Sequence, residues 1–373
     1  MAVVGGNACW RQQYRQRHGG FVSTTAVAIG RRGWVSVLGS AQSYIGLLLI
    51  ALIGVLSQGD RFANVDNLTN AVGYFAPRGI LAVGMTLVII SGGIDLSVGA
   101  LLAVGSTASA WMLTSLNLPV IAILPASMLI CALFGCANGI GIAGLKIQPF
   151  IVTLAMMTIA RGIVREFSNN ASIGTTVIGP NGRVAPGSAQ FSALGTPGTL
   201  VFDIPFIGYF PVLALIIVVI VFQVVLSRSS FGRHVYAVGG NPTAARLSGV
   251  NVPAVTITVF ALSGLLAGLA GPINAAYNAS ADPQAGLTYE LDAIAAVVIG
   301  GASLAGGRGT VLGTAVGALI LTLLDNVLGL NNFSANWQLI IKGLILVAAV
   351  IIQRPDIFQN LYARLRQGTT KPQ

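Results

Sequence analysis

Ser91-Gly92-Gly93-Ile94-Asp95-Leu96-Ser97-Val98-Gly99 is a polar, glycine-broken knot between two long apolar runs. A degenerate copy, Ile299-Gly300-Gly301-Ala302-Ser303-Leu304-Ala305-Gly306-Gly307, follows 208 positions later. Aligned without gaps, the two nonamers share the paired glycines, the leucine and the last glycine. Matching breaks in two halves of an apolar chain point to an internal structural repeat, a common construction in transporters. The expectation is therefore a protein that moves something across a bilayer.

Composition supports that class. The 373 residues are 54% hydrophobic and only 8% charged, against about 25% charged in soluble domains. So few charges cannot cover a water-facing surface of this size, and lipid must cover most of it. The net charge of +10 is no nucleic-acid signal, because the Lys and Arg sit in short clusters at the ends of apolar runs, as a cytoplasmic membrane face arranges them. Cys9, Cys131 and Cys136 provide no disulfide framework, and Cys131 and Cys136 lie inside an apolar run, where a free thiol behaves as a small hydrophobe. Two histidines, His18 and His234, are too few and too far apart for a metal site. The first apolar run begins only near Trp34 and no A-x-A-like site closes it, so it is expected to be an uncleaved span rather than a secretory signal.

Roughly 20 apolar residues cross the hydrocarbon layer. Ten runs qualify: Val35–Leu56, Leu68–Ile90, Val98–Leu116, Val120–Leu145, Phe150–Phe167, Phe206–Leu226, Val255–Tyr277, Leu291–Leu304, Val311–Leu330 and Trp337–Ile352. The eighth is short and glycine-rich, the mark of a re-entrant or broken element. With the N-terminus inside, fourteen Lys and Arg fall on cytoplasmic segments and three on external ones, which favours both termini inside and an even number of spans. The expected fold is an all-α integral membrane protein of about ten transmembrane helices in two related halves. Its parts are a basic cytoplasmic arm (1–34), a transmembrane domain (35–353, halves about 35–168 and 206–353) and a cytoplasmic tail (354–373). An external loop (169–205) separates the halves, and 228–252 is the longest internal loop.

Within that internal loop, Asn241 suits a helix N-cap and Pro242 the first helical position. Thr243 to Ser248 then form one or two turns, and Gly249 can take the left-handed conformation that ends them. Arg246 would be the exposed charge of this short surface helix, with Val238 and Leu247 as its anchors. Ala244-Ala245-x-x-x-Gly249 is similar to the tail of the cytoplasmic "EAA" signature of ATP-binding-cassette importer permeases, although Thr243 stands where that signature has Glu. Gly84-Met85-Thr86-Leu87-Val88-Ile89 followed by Ser91–Gly99 resembles the ribose-type monosaccharide permeases, within the branched-chain amino acid/simple sugar permease superfamily. So do Lys146-Ile147-Gln148-Pro149-Phe150, Thr158-Ile159-Ala160-Arg161-Gly162 and the stretch from Tyr289-Glu290-Leu291-Asp292 to Gly301. The resemblance covers roughly Asn67 to Gln353 and leaves out the basic arm.

The resemblance implies a permease subunit importing a ribose-like sugar across a bacterial inner membrane. It implies a coupling loop at Gly239, Gly240, Asn241, Thr243, Ala244, Ala245, Arg246, Leu247 and Gly249 that seats on a cytoplasmic ATPase. It further implies a second permease copy, identical or closely related, and a periplasmic sugar-binding protein outside. No G-x-x-x-x-G-K-[ST] loop occurs in the chain, so no cofactor is expected on it, and ATP and Mg belong to the partner. No catalytic constellation is visible, and an enzyme is not expected.

Individual residues keep alternatives. Asp95 lines a path or switch, or caps the third span together with Ser97. Gly92, Gly93, Gly300 and Gly301 are hinges or points of close helix packing. Asp282, Glu290 and Asp292 dock a partner's cations or are solvated loop charges. Arg161 and Arg165 read as snorkelling anchors, while Lys342 snorkels or faces a polar cavity. Asn274, Tyr277 and Asn278 have sugar-binding chemistry but also suit a membrane interface. The substrate path has no residues assigned to it. The rivals are another cargo (a branched-chain amino acid, nucleoside or signalling molecule) and an ion-coupled secondary transporter, which would need paired carboxylates in mid-membrane.

Overall fold

The computed structural model describes residues 28–178, 185–195 and 209–352. The tail 354–373, most of the arm 1–34 and parts of the loop 169–205 lie outside the described residues. The chain divides into two units, Met1–Gln42 and Ser43–Gln373, and the packing below is that of the second.

Although Leu291–Leu304 runs five residues past the end of its helix at Ile299, each of the ten apolar runs overlaps a helix. They are α1 (Ala28–Gln58), α3 (Val65–Ile90), α4 (Val98–Thr114), α5 (Val120–Ala143), α6 (Pro149–Phe167), α8 (Phe210–Arg228), α11 (Val252–Tyr277), α12 (Tyr289–Ile299), α13 (Val311–Leu330) and α14 (Ala335–Ile352). Among the described residues, four short helices lie between them: α2 (Asp60–Ala63), α7 (Pro186–Ser192), α9 (Ser230–Gly240) and α10 (Pro242–Leu247). A two-residue antiparallel pair, β1 (Ile173–Gly174) on β2 (Ser280–Ala281), matches Ile173 to Ala281 and is the only sheet among the described residues. Among the described residues, five helices, α3, α5, α8, α11 and α13, are long and apolar enough to cross a membrane by themselves. At 11 residues, α12 is short, as its glycine-rich sequence leads one to expect.

Helix α11 is the hub. Its partner α5 carries Ser127, Cys131, Gly135 and Gly139 at four-residue spacing; the first three face Gly264 and Gly268 of α11, and Gly139 lies against the Ile257 backbone. Small residues four apart form a flat helix stripe that lets two backbones touch. A methyl on Gly135 would enter the Phe260 carbonyl oxygen, one on Gly264 the Cys131 carbonyl, and one on Gly268 would lie 2.5 Å from the Ser127 carbonyl. Ser127 Oγ donates to Gly268 O at 2.8 Å across the seam. The other face of α11 meets α4, where Gly271 leaves no room for a methyl beside Ser106. Helix α3 closes the centre: Ile80 to Ile90 are buried almost without exposure. By contrast Ile121, Leu129, Leu133 and Ile140 of α5 are exposed, which is the apolar face a bilayer would cover.

Gly135→Ala should lower stability by about 1–3 kcal/mol through overpacking, while Gly162→Ala, whose added methyl meets nothing within 4 Å, should be neutral. Thermal unfolding in detergent separates the two; equal melting temperatures would contradict the seam.

Candidate functional site

The two glycine knots adopt one local geometry. Helix α3 ends at Ile90 with Gly92 at φ +88°, and α12 ends at Ile299 with Gly301 at φ +87°. Gly92 N–H bonds Ile89 O and Gly93 N–H bonds Val88 O; Gly301 N–H bonds Val298 O and Ala302 N–H bonds Val297 O. This paired pattern is the Schellman stop, in which one left-handed residue lets two further amides satisfy the last carbonyls. Only glycine takes that φ without strain, so the sequence repeat is a repeat of helix termination.

The second knot reaches the first directly. Gly307 N–H donates to Ile90 O at 2.8 Å, and Thr86 Oγ1 donates to Thr314 Oγ1 at 2.8 Å between the helices that flank them. The C-terminal end of α9 is wedged into this junction. A methyl on Gly239 would overlap the Ile90 carbonyl oxygen and approach Gly307 N to 2.7 Å. Tyr236 of the same helix donates to Gly309 O at 2.8 Å, and burial pushes its phenol up, which keeps it a donor. The segment 228–252 is therefore two helices rather than a loop with one: Ser229 accepts from Gly232 N–H to start α9, and Asn241 interrupts before α10.

Helix α10 forms as its sequence dictates. Asn241 Oδ1 accepts from Thr243 and Ala244 amides at 3.0 and 2.9 Å, and Pro242 occupies the first position. Gly249 at φ +86° closes it with the same Schellman pair, Val250 N–H on Ala245 O and Gly249 N–H on Arg246 O. The anchor is Ala245, which is buried, not Leu247, which is 85% exposed. The register of a six-residue helix turns Ala245 inward and leaves Arg246 and Leu247 on the free face.

Asp95 is fully buried rather than at a surface turn. Its Oδ1 accepts from the Ser97 amide at 2.9 Å and the Ser97 hydroxyl at 2.6 Å, and its Oδ2 accepts from Ser263 of α11 at 2.9 Å. Ser97 in turn accepts from Asn138 Nδ2 of α5 at 2.9 Å. Asp95 thus holds the turn before α4, as a cap would, and also ties that turn to the α5–α11 seam.

The acidic residues around α12 part company. Asp282 is exposed. Glu290 lies over Gly99, where a methyl would strike its carboxylate. Asp292 is drawn inward into a four-charge cluster. Arg78 Nη1 lies 3.1 Å from Asp325 Oδ2, Lys342 Nζ lies 2.9 Å from the same oxygen and 3.3 Å from Asp292 Oδ1, and Arg78 Nε is 3.9 Å from Asp292 Oδ2. All four side chains are only 12–14% exposed. The Arg78 guanidinium also lies over the rings of Tyr74 and Tyr289, at 3.9 and 4.4 Å, and bonds the Tyr74 hydroxyl. Charges so placed in a membrane chain mark function by default, and sequence reading missed the cluster. Lys342 neither snorkels nor stands alone. Arg161 is no snorkelling anchor either: its Nη1 donates to the carbonyls of Pro283 and Ala285 at 3.0 and 2.6 Å, pinning the segment that leads into α12. Of the three residues with sugar-binding chemistry, Asn274 is buried, Asn278 is exposed, and Tyr277 sets its ring 6.2 Å from that of Tyr74.

A bundle of long apolar helices with two matching helix stops and a buried charge cluster has the build of a membrane transport protein. The chain belongs to the family of branched-chain amino acid transport system permease components, whose model matches residues 67–350. The ribose import permease protein of Haemophilus influenzae Rd is 42% identical over 311 residues, covering 83% of this chain and 91% of the relative. That of Escherichia coli K12 is 39% identical over 331 residues, 88% and 98% of the two chains. The xylose transport system permease of H. influenzae is 38% identical over 361 residues, covering 83% and 96%. No solved structure matches the chain.

Removing one member of the charge cluster strands a buried charge. Lys342→Met and Asp292→Asn should each destabilise by about 3–5 kcal/mol, and the double variant, which restores neutrality, should recover a good part of the loss. A double variant as unstable as the sum of the singles, by thermal unfolding in lipid nanodiscs, would show that the four groups do not act as a unit.

Proposed function

We infer that this chain is the membrane-spanning permease subunit of an ATP-binding-cassette importer for a simple sugar, ribose before xylose. The observation that carries the reading is the 39–42% identity to ribose import permeases over most of both chains, against 38% for the xylose permease.

In this reading ten helices cross a bacterial inner membrane with both termini cytoplasmic. The basic arm 1–34, the tail 354–373 and the segment 228–252 lie inside, 169–205 lies outside, and the halves are about 35–168 and 206–353. Two permease copies pair. ATP and Mg bind the partner ATPase, and a periplasmic binding protein delivers the sugar outside, with Asp282 the exposed carboxylate for docking and Glu290 a half-buried one.

Helix α10 is the coupling element. Its free face offers a cation, Arg246, beside an apolar side chain, Leu247, the pairing that suits a groove on another protein. Its motion has a short route to the bundle: Asn241 joins it to Gly239 and Gly240, and Gly239 is lodged between the α3 stop and the second knot. A pull on α10 therefore bears on Gly92 of the first knot and on Gly306 and Gly307 of the second, while Asp95 holds the turn before α4 against the seam.

Arg246→Glu combined with Leu247→Asp should leave folding unchanged, because both residues are exposed. It should abolish sugar-stimulated ATP hydrolysis and uptake in proteoliposomes holding the complete importer. Normal stimulation and uptake would show that α10 is not the coupling element. Ribose uptake by the chain alone, driven by an ion gradient, would overturn the importer reading.

A further inference from the structure

At the ends of α3 and α13 remote from the glycine stops, a cavity of about 350 Å³ opens between α3, α11, α13 and α14. We propose that it is a seat for one neutral monosaccharide within the permease itself, formed by Asn70, Tyr74, Tyr277, Asp325, Asn326 and Gln338. The proposal rests on the reading of the chain as a sugar permease and adds where the sugar sits.

Size fits first: the volume lies at the small end of ligand pockets, which run from roughly 300 to 1,000 Å³. The lining chemistry is that of a polyol. Sugar hydroxyls each donate and accept, so amides and carboxylates match neighbouring hydroxyl pairs, and the C–H-rich face of the ring packs on aromatic carbon. Three amides, one carboxylate and two tyrosine rings 6.2 Å apart and inclined at 49° supply both. Asp325 has acceptor capacity to give: Oδ2 takes both cations, whereas Oδ1 is buried and has no hydrogen-bond partner among the described residues. Arg78 Nε is likewise without a hydrogen-bond partner, and a void of about 10 Å³ adjoins Arg78, Asp292 and Asp325 beneath the cavity. That is room for one hydroxyl or water oxygen.

Charge balance selects against other cargo. The cluster below the cavity holds two cations and two carboxylates, so it offers no net charge to a sugar phosphate. In the proposed topology the cavity faces outward, the side from which a binding protein would hand over its sugar.

Two assays separate this proposal from the reading beneath it. In the first, equilibrium binding of labelled D-ribose to the full-length chain in lipid nanodiscs is compared among wild type, Asn70→Leu, Gln338→Leu and Gly162→Ala. Wild type and Gly162→Ala should bind alike. Each of the two wall variants should bind at least tenfold more weakly, with melting temperatures showing that they fold. D-ribose should be displaced by unlabelled D-ribose but not by D-ribose 5-phosphate or L-leucine. In the second, the complete importer is assayed for uptake in proteoliposomes, where the wall variants should raise KM for ribose. Unchanged binding and KM in both folded wall variants would overturn the seat while wild-type uptake left the importer reading standing. Displacement by leucine would overturn the seat's chemistry. An importer that carries neither ribose nor xylose, with wild-type nanodiscs that bind no ribose, would overturn both.

Discussion

The α5–α11 seam is the contact on which the rest of this structure depends. In a bilayer there is little hydrophobic drive between helices, so adhesion comes from van der Waals contact and hydrogen bonds at close range. Ser127, Cys131, Gly135 and Gly139 on one helix and Gly264 and Gly268 on the other bring the two backbones together. That closeness puts Ser263 of α11 within hydrogen-bond reach of Asp95 and Asn138 of α5 within reach of Ser97. The turn before α4 is thus fixed to the same hub, and α3, which precedes that turn, is buried against α11.

From the hub the two ends of the bundle take different characters. At one end, backbone groups dominate: Ile90 O receives Gly307 N–H, and Gly239 fits only because it lacks a side chain. The junction is built of backbone against backbone, with Gly92, Gly306 and Gly307 all at positive φ around Gly239. At the other end, side chains dominate: two cations and two carboxylates hold α3, α12, α13 and α14, and above them lies a polar cavity. Four charges in mutual contact satisfy most of one another's needs, which is what makes their burial tolerable.

The sequence was legible wherever the controlling interaction is local. The apolar runs located most of the long helices to within a few residues, Val311–Leu330 without any error, because the hydrophobic stretch and the helix that satisfies its own backbone are the same object; Val35–Leu56 began seven residues late and Leu291–Leu304 ran five past the helix end at Ile299. Asn241, Pro242 and Gly249 foretold α10 because capping bonds span two to five residues. Leu247 was misread as an anchor because helical register in so short a segment depends on what Ala245 packs against. Helix α9 was hidden for the opposite reason: Gly232, Gly239 and Gly240 look like loop residues, but Gly232 and Gly239 are there because other backbone lies against them.

What the sequence determined alone is the class, the approximate positions of the apolar helices and the repeated glycine break, all set by hydrogen bonds and apolar runs within one segment. Only the tertiary structure decided what the isolated polar residues do. Arg78, Asp292, Asp325 and Lys342 are scattered over more than two hundred positions, Arg78 and Lys342 inside apolar runs and the two aspartates near run ends, and none shows its partner in the local sequence. Their pairing depends on which faces of four helices meet, and no local pattern encodes that. The same holds for Tyr74 and Tyr277, which become one wall of a cavity only when α3 and α11 are packed side by side.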